Sequence, residues 1–595
     1  MTPFSPPTTT ADAFERTAIA RGDAPALARK RNGRWEITTW REYHDRVRLG
    51  ARALIALGVE PHDHVTIIGY NCPEWFIADY AAIMAGGIPA GIYTTNTPEQ
   101  CRYVAAHCDA RVAFVEDEEQ LAKFRAIRSA LPALRAIVVM HGEVRGDDIL
   151  TWDGFLDLGR TVPDELLDAR IAAQRPSDVC TLIYTSGTTG IPKGVMLTHR
   201  NITWLVSRAS QIVGVKPGED IISYLPLSHI AEQGFSLHSS AMLGTCIWFA
   251  ESLETLGDTM RDVRPHHFLG VPRVWEKIQA KMEEVGAAAP PLRRRIVQWA
   301  RKVGLAGGYA MQRGKSRPLM FGLADRLVFS KVRERLGLDR ARTLVTGAAP
   351  ISQRTLEFFL SLGLPICDVY GMSECTAITT VATPQRYRTG TAGYVIPGAD
   401  VRIADDGEIC IRGPHVFAGY HKDAAATAEV IDAGGWLHTG DIGEIDEDGF
   451  LRITDRKKEI IITAGGENIA PAYVEGHLKA IPVVNQAIVI GDRRRYLSVL
   501  LTLDPAKIPH IASLEGSSAR TPEEAAECDH FTAYLRREID AVNARLARVQ
   551  TVKRFAVLPA ELSVEGGELT PTMKLKRAVI AEKYASVIDT LYIDV

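Results

Sequence analysis

Residues Thr181–Leu197 read TLIYTSGTTGIPKGVML, an apolar, partly β-branched run that turns abruptly into Gly, Ser and Thr around one lysine. The run Thr181–Tyr184 reads as a strand. It delivers Thr185, Ser186, Gly187, Thr188, Thr189 and Gly190, whose small side chains let backbone N–H groups approach phosphate oxygens closely. The hydroxyls add donors, with Thr188 a candidate metal contact, and Lys193 adds a positive charge. This is not the common phosphate loop. The Walker pattern needs a second Gly directly before the Lys, and counting from Gly187 that position holds Pro192.

Outward from the loop, short strands alternate with longer helices, the pattern of an α/β protein with mostly parallel sheets. HVTIIGY (64–70) reads as a strand, EWFIADYAAIMAGG (74–87) as a helix and IPAGIY (88–93) as a second strand, making a βαβ unit. ARVAFVED, RAIVVM, IISYLP, CIWFA and TLVTG continue the pattern. From about Gly398 the texture changes: DVRIADDGEICIRG and DIGEIDEDGFLRITD, with turns at DDG and EDG, predict hairpins in a small β-rich unit. The expected division is 1–455 and a smaller section, 456–595.

At 595 residues the chain is too long for a single core, and 46% hydrophobic with 24% charged residues is ordinary for a globular protein. A net charge of -3 gives no reason to expect a global polyanion partner such as nucleic acid. Nine scattered cysteines without metal-type pairing favour a reducing compartment over a disulfide framework. The first basic residue is Arg16, so the positive start of an export signal is missing, and the longest uncharged runs are broken by Gly, Pro, Thr, Ser or His. The expected location is cytoplasmic. One shift in composition stands out: from Arg293 to Arg342 there are 14 Lys or Arg against three acids, Asp325, Glu334 and Asp339. A solvated basic helix face and a patch for an anionic membrane or a phosphate-rich cosubstrate both stay open, as does the oligomeric state, a homodimer included.

The string TSGTTGIPKG resembles the signature of the adenylate-forming ligases, a superfamily of acyl-CoA synthetases, luciferases and peptide-synthetase adenylation domains. Six further stretches carry the resemblance in order: LPLSHIAEQ (225–233), TGAAP (346–350), YGMSE (370–374), GWLHTGD (435–441), TDRKKEIIITAGGENIAP (454–471) and ELTPTMKLKR (568–577). NCPEWFIADYAAIMAGGIPAGIYTTNTPEQ and GVPRVWEKI look like the long-chain fatty acyl-CoA synthetase branch, nearest its bubblegum type. The resemblance implies two α/β sheets plus a β-rich unit in the large N-terminal part. It also implies a small, mobile α+β C-terminal domain swinging on a hinge near Lys458.

The implied chemistry joins a fatty acid to AMP from ATP, releasing pyrophosphate, and then passes the acyl group to CoA, with Mg²⁺ as the metal. By this resemblance Thr185 to Gly190 and Lys193 cradle the β- and γ-phosphates, and Glu374 is the Mg²⁺ ligand. Tyr370 stacks on adenine beside Gly371 and Ser373, with Gly347, Ala348 and Ala349 on the other face and Asp368 near the adenine amino group. Asp441 accepts from the ribose hydroxyls and Arg456 contacts ribose or phosphate. His229 lies between the acyl and CoA sites, Gly465 and Gly466 face CoA, and Lys574 reaches in to bridge carboxylate and α-phosphate, with Lys576 and Arg577 expected to matter little. Three positions depart from the general pattern: Ser373 for Thr, Met573 for Gly and Asp455 for Gly. Rival readings are an acyl-AMP ligase serving a carrier protein, an aryl-CoA ligase, and a catalytically inactive lipid-binding regulator.

Overall fold

The computed structural model describes residues 8–142, 146, 148–185, 191–464, 467–564, 566–570 and 575–593. The predicted βαβ unit forms as read. Strands His64–Ile68 and Ile88–Ile92 pair in parallel, with Val112–Val115 and Ala136–Val139 extending the sheet on the other side of His64–Ile68. Val179–Thr185 joins beside Ile88–Ile92, and Lys193–Thr198 folds back antiparallel on it to help complete an eight-stranded sheet. Thr185 and Lys193, the described flanks of the Gly/Thr stretch, are thus cross-strand partners within this sheet.

Helix Pro73–Met84 is buried at every position, because it lies between this sheet and a second one. A helix with apolar residues on every side has no solvent face to offer, although this one also carries Glu74 and Asp79. Phe76 meets Phe249 of the second sheet edge-on at 5.1 Å between ring centres. The helix also buries Asp79, whose two carboxylate oxygens have no hydrogen-bond partner, and burial pushes its pKa well above the usual range.

The second sheet has nine strands. Its parallel centre is Cys246–Phe249, Asp220–Ser223, His267–Leu269, Thr343–Thr346 and Ile366–Tyr370. A hairpin of Pro25–Arg31 and Arg34–Thr39 closes one edge, an element not anticipated from the sequence. The β-rich unit is a four-stranded antiparallel sheet of Asp400–Ile403, Glu408–Arg412, Leu437–Ile445 and Leu451–Arg456. Both expected turns are present, with Gly407 and Gly449 at φ 84° and 83°, a backbone that glycine adopts without steric cost.

The C-terminal section has its own three-stranded sheet, Val484–Ile490, Leu497–Leu503 and Val552–Val557, packed with helices such as Asp529–Asn543 around Val499, Leu501 and Phe531. It touches the large part where Arg273 Nη1 donates to Asn485 Oδ1 at 2.7 Å and Arg354 Nη1 to the Ala480 carbonyl at 2.9 Å. Arg577, read from the sequence as a residue of little consequence, has a structural role here. Its guanidinium forks onto both oxygens of buried Glu475 at 2.8 and 2.7 Å and reaches Glu459 at 3.0 Å. The sequence reading failed because Glu475 lies 102 residues away. Among the described residues no helix is long and apolar enough to cross a membrane.

Candidate active site

The candidate residues gather where parallel strands of the two sheets end, the usual place for a ligand crevice in such sheets. Thr185 ends its strand directly opposite Lys193, so the two residues flanking the Gly/Thr stretch are in register. Ser186, Gly187, Thr188, Thr189 and Gly190 lie outside the described residues. In the second sheet Thr346 pairs with Asp368, and the chain then runs into Gly347, Ala348 and Ala349. Ala348 holds φ 67°, a strained left-handed value for a residue with a Cβ, and such strain clusters at functional sites. A Cβ on Gly347 would lie 2.8 Å from Val369 Cγ2, and one on Gly371 only 2.1 Å from the Ala377 carbonyl oxygen. Both positions are therefore restricted to glycine by close packing. Asp368 is half-buried, and desolvation pushes its carboxyl up to about 8.

Tyr370 and Asp441, 71 residues apart, are joined: the buried phenol donates to Asp441 Oδ2 at 2.8 Å. Arg456 approaches the other oxygen, Oδ1, with Nε at 3.2 Å. Hairpin register makes this pair, since Asp441 and Arg456 are direct cross-strand partners. The Asp441 backbone N–H donates to Thr439 Oγ1 at 3.1 Å, and Thr439 is anchored on the Ile409 carbonyl at 2.7 Å. An aromatic ring, a carboxylate and a guanidinium are thus fixed together. Those groups suit a flat base, a vicinal diol and an anionic phosphate.

A second cluster centres on a residue absent from the sequence reading. Glu374 sits in a buried turn, Ser373–Cys375, and the hydrogen bond to its carboxylate comes from Tyr420, whose hydroxyl donates to Oε1 at 2.8 Å. The Lys193 ammonium lies 4.9 Å from the centre of the same Tyr420 ring, within cation–π range. Tyr420 reaches both because Gly419–Tyr420 adds a short antiparallel strand to Lys193–Thr198. One tyrosine therefore contacts both a buried carboxylate and the lysine of the Gly/Thr stretch. No local pattern in HVFAGYHKD (415–423) announces it, since both partners are distant in sequence. A buried, oriented carboxylate oxygen is the donor type that Mg²⁺ accepts, so Glu374 fits the role of its ligand.

His229 caps the one-turn helix Ile230–Glu232, its Nδ1 accepting from the Ala231 N–H at 3.1 Å. Just beyond it Glu232 is almost fully buried, and desolvation pushes it up to about 7 although Ser223 and Ser236 hydroxyls donate to it at 2.6 and 2.8 Å. A π-helical turn, Gln233–His238, follows, a feature frequent at functional sites. At the expected hinge, Lys458 is exposed and its neighbour Lys457 is tied to Asp406 at 2.6 Å and Glu408 at 2.9 Å. Lys574, Gly465 and Gly466 lie outside the described residues.

Two family models match the chain: AMP-binding enzyme over residues 14–421 and AMP-binding enzyme C-terminal domain over 458–595. The chain is 42% identical to the long-chain-fatty-acid–CoA ligase ACSBG2 of Xenopus laevis, covering 99% of this chain and 84% of that protein. It is 43% identical to the ACSBG2 ligase of Gallus gallus (99% and 82%) and 38% identical to that of Homo sapiens (98% and 92%). Among solved structures, the adenylation domain of a carboxylate reductase from Mycobacterium chelonae superposes with a TM-score of 0.78 at 22% identity, covering 99% and 92% of the two chains. The anthranilate CoA ligase AuaEII gives 0.76 at 21%, covering 99% of each. At such identities these structures speak for the fold, which is that of the adenylate-forming ligases. With one family model spanning most of the chain and relatives near 40% identity along nearly all of it, the protein belongs to the AMP-binding enzyme family.

Proposed function

We propose that this protein is an AMP-forming long-chain fatty acid–CoA ligase. The observation that carries the reading is the near-full-length similarity to curated ligases of that name, 38% to 43% identical. It is supported by the joined Tyr370, Asp441 and Arg456 cluster. In the first half-reaction a fatty-acid carboxylate oxygen attacks the α-phosphorus of ATP, and the bond to pyrophosphate breaks. In the second, the CoA thiol sulfur attacks the acyl carbon, AMP leaves and the thiol proton is released.

In this proposal Tyr370 carries the adenine, between the Gly347–Ala349 backbone and Gly371, with Asp368 toward its amino group. Asp441 accepts from the ribose hydroxyls while Arg456 turns toward ribose or α-phosphate. Thr185, the loop after it and Lys193 hold the departing pyrophosphate. Mg²⁺, when bound through Glu374 with Thr188 as a second contact, neutralises phosphate charge. Lys574 stabilises the adenylation transition state from the C-terminal domain, 456–595, which turns at Lys458 to bring Gly465 and Gly466 to the CoA side. His229 lies where acyl and CoA channels meet. The proposed place of action is the cytoplasm.

The test is AMP release from ATP across acids from acetate to long-chain fatty and aryl acids. The expected result is AMP release only when a long-chain acid and CoA are both present. Pyrophosphate release independent of CoA would move the reading to a carrier-protein ligase, preference for aromatic acids to an aryl-CoA ligase, and absence of turnover to a binding protein.

A further inference from the structure

The basic segment found in the sequence has a surface that the catalytic reading leaves unused. Helix Pro291–Gln312 runs antiparallel to the helical stretch Phe321–Leu336, and the two share a small core of Ala300, Ala324, Val328 and Phe329. The helix seats closely on the large domain through glycines. A Cβ on Gly304 would lie 2.1 Å from the Ser361 carbonyl oxygen, and one on Gly308 would lie 2.4 Å from Leu360. That face is committed to the fold. Away from it, Leu292 and Ile296, one helical turn apart, are 72% and 39% exposed. In the connection and second stretch, Leu319 is 102% exposed, and Met320, Leu323 and Leu327 are 43% to 47% exposed. These six exposed apolar side chains fall in two groups, Leu292 and Ile296 near the start of the first helix and Leu319, Met320, Leu323 and Leu327 at and after the connection, and exposed apolar groups of this kind mark an interaction site.

The exposed charges around them are mostly positive, with Glu334 an exposed acid among them. Arg293, Arg294, Arg295, Arg313, Lys315, Arg326 and Lys331 are exposed, and among the described residues none forms an ion pair. The nearby Asp325 is taken by Arg333 at 2.8 Å. Elsewhere on the molecule exposed arginines commonly find a carboxylate, as Arg41 finds Asp23 and Arg412 finds Asp400. Here most of the exposed positive charge is left without an ion-pair partner among the described residues, beside leucines left without a core.

We infer that the Pro291–Leu336 unit docks the enzyme onto an anionic lipid bilayer, with the leucines entering the acyl boundary and the arginines meeting headgroup phosphates. Charge complementarity selects this occupant. Exposed apolar side chains flanked by uncompensated Lys and Arg match an interfacial membrane anchor. A second copy of the chain would bring the same positive charges face to face. The inference stands apart from the catalytic assignment, because binding to lipid is measured without turnover.

The experiment is co-sedimentation of the full-length protein with vesicles of phosphatidylcholine alone or with phosphatidylglycerol added. The expected result is binding to the anionic vesicles that weakens as salt is raised. Replacing Arg293, Arg294 and Arg295 together by Ala should weaken it about 100-fold, since each such charge is worth roughly fivefold near an anionic surface. Leu319→Ser with Leu323→Ser should weaken it by at least about tenfold at any salt concentration, through lost apolar burial. Leu319 makes no core contribution, so Leu319→Ser alone keeps the test open if the double variant misfolds. Equal affinity for neutral and anionic vesicles, or binding unchanged in both variant sets, would overturn the inference. So would a dimer in gel filtration that Leu319→Ser dissolves, which would assign the face to a second copy.

Discussion

Replacing Tyr420 by Phe removes one oxygen and keeps the ring. The hydroxyl donates to Glu374 Oε1 at 2.8 Å, while Lys193 rests over the ring at 4.9 Å from its centre. Burial first, and then the neighbouring Glu374, push the phenol well above its usual range, so it remains a donor across the working pH. Tyr420→Phe therefore preserves the cation–π contact and leaves the Glu374 carboxylate, only 7% exposed, without its anchor. A hydrogen bond to a charged group contributes about 1.5–3 kcal/mol, and loss of a partner that orients a metal-ligating carboxylate costs about 10–100-fold in metal affinity or activity. The expected outcome is an increase of about tenfold or more in the Mg²⁺ concentration that half-saturates pyrophosphate release. Conversion of preformed acyl-AMP and CoA into thioester, which involves no β- or γ-phosphate, should be unchanged. Thermal stabilisation by ATP should likewise need more Mg²⁺ in the variant, a readout independent of turnover. Tyr420→Ala should add a loss of phosphate-loop function. A Phe variant with the parent's Mg²⁺ dependence, or one that loses both half-reactions equally, would refute the positioning role.

Further substitutions separate catalytic from structural parts. Asp441→Asn removes the charge that holds Arg456 and accepts from Tyr370, so ATP binding should weaken about 10–100-fold, read as a raised KM for ATP with the folded state intact by circular dichroism. Lys574→Ala should lose adenylation by about 100-fold or more, the scale of removing one transition-state donor, while preformed acyl-AMP still reacts with CoA; equal loss in both steps would speak against the domain swing. Arg577→Ala strands the buried carboxylate of Glu475 and should destabilise the C-terminal section by about 3–5 kcal/mol in urea unfolding, whereas Lys576→Ala should leave it unchanged. Asp79→Asn tests a pH linkage. Burial raises the folded-state pKa of Asp79, so the folded protein keeps a proton that the unfolded chain releases, and this group's contribution to stability falls as pH rises above the ordinary carboxylate value, about 3.9. The Asn variant should gain stability relative to the parent between pH 5 and pH 8, and a melting-temperature difference constant over that range would count against it.

What could be read from the sequence, and what could not, divides along the length scale of the interactions. The βαβ unit at 64–93 and the two hairpins after Gly398 were readable because each is specified by neighbours: a period of burial, then a turn glycine at 407 or 449 whose positive φ the strands require. The pairing of Asp441 with Arg456 belongs to the same class, since hairpin register alone sets them opposite. Tyr420 belongs to another. Its importance arises only when a two-residue strand, carrying no periodic signal of its own, is laid against Lys193–Thr198 and so brought to Glu374. Arg577 misled for the same reason: within TMKLKR it is one cation among several, and only the return of the chain to Glu475 and Glu459 turns it into a buried ionic core. Asp79 shows the reverse case, a polar residue in a helix whose complete burial follows from the two sheets that enclose it rather than from its own sequence. Motifs single out candidate groups because each keeps its chemistry within one short stretch of chain. The residues that hold those groups in place are selected by tertiary contact, so their chemistry becomes visible only in the folded chain.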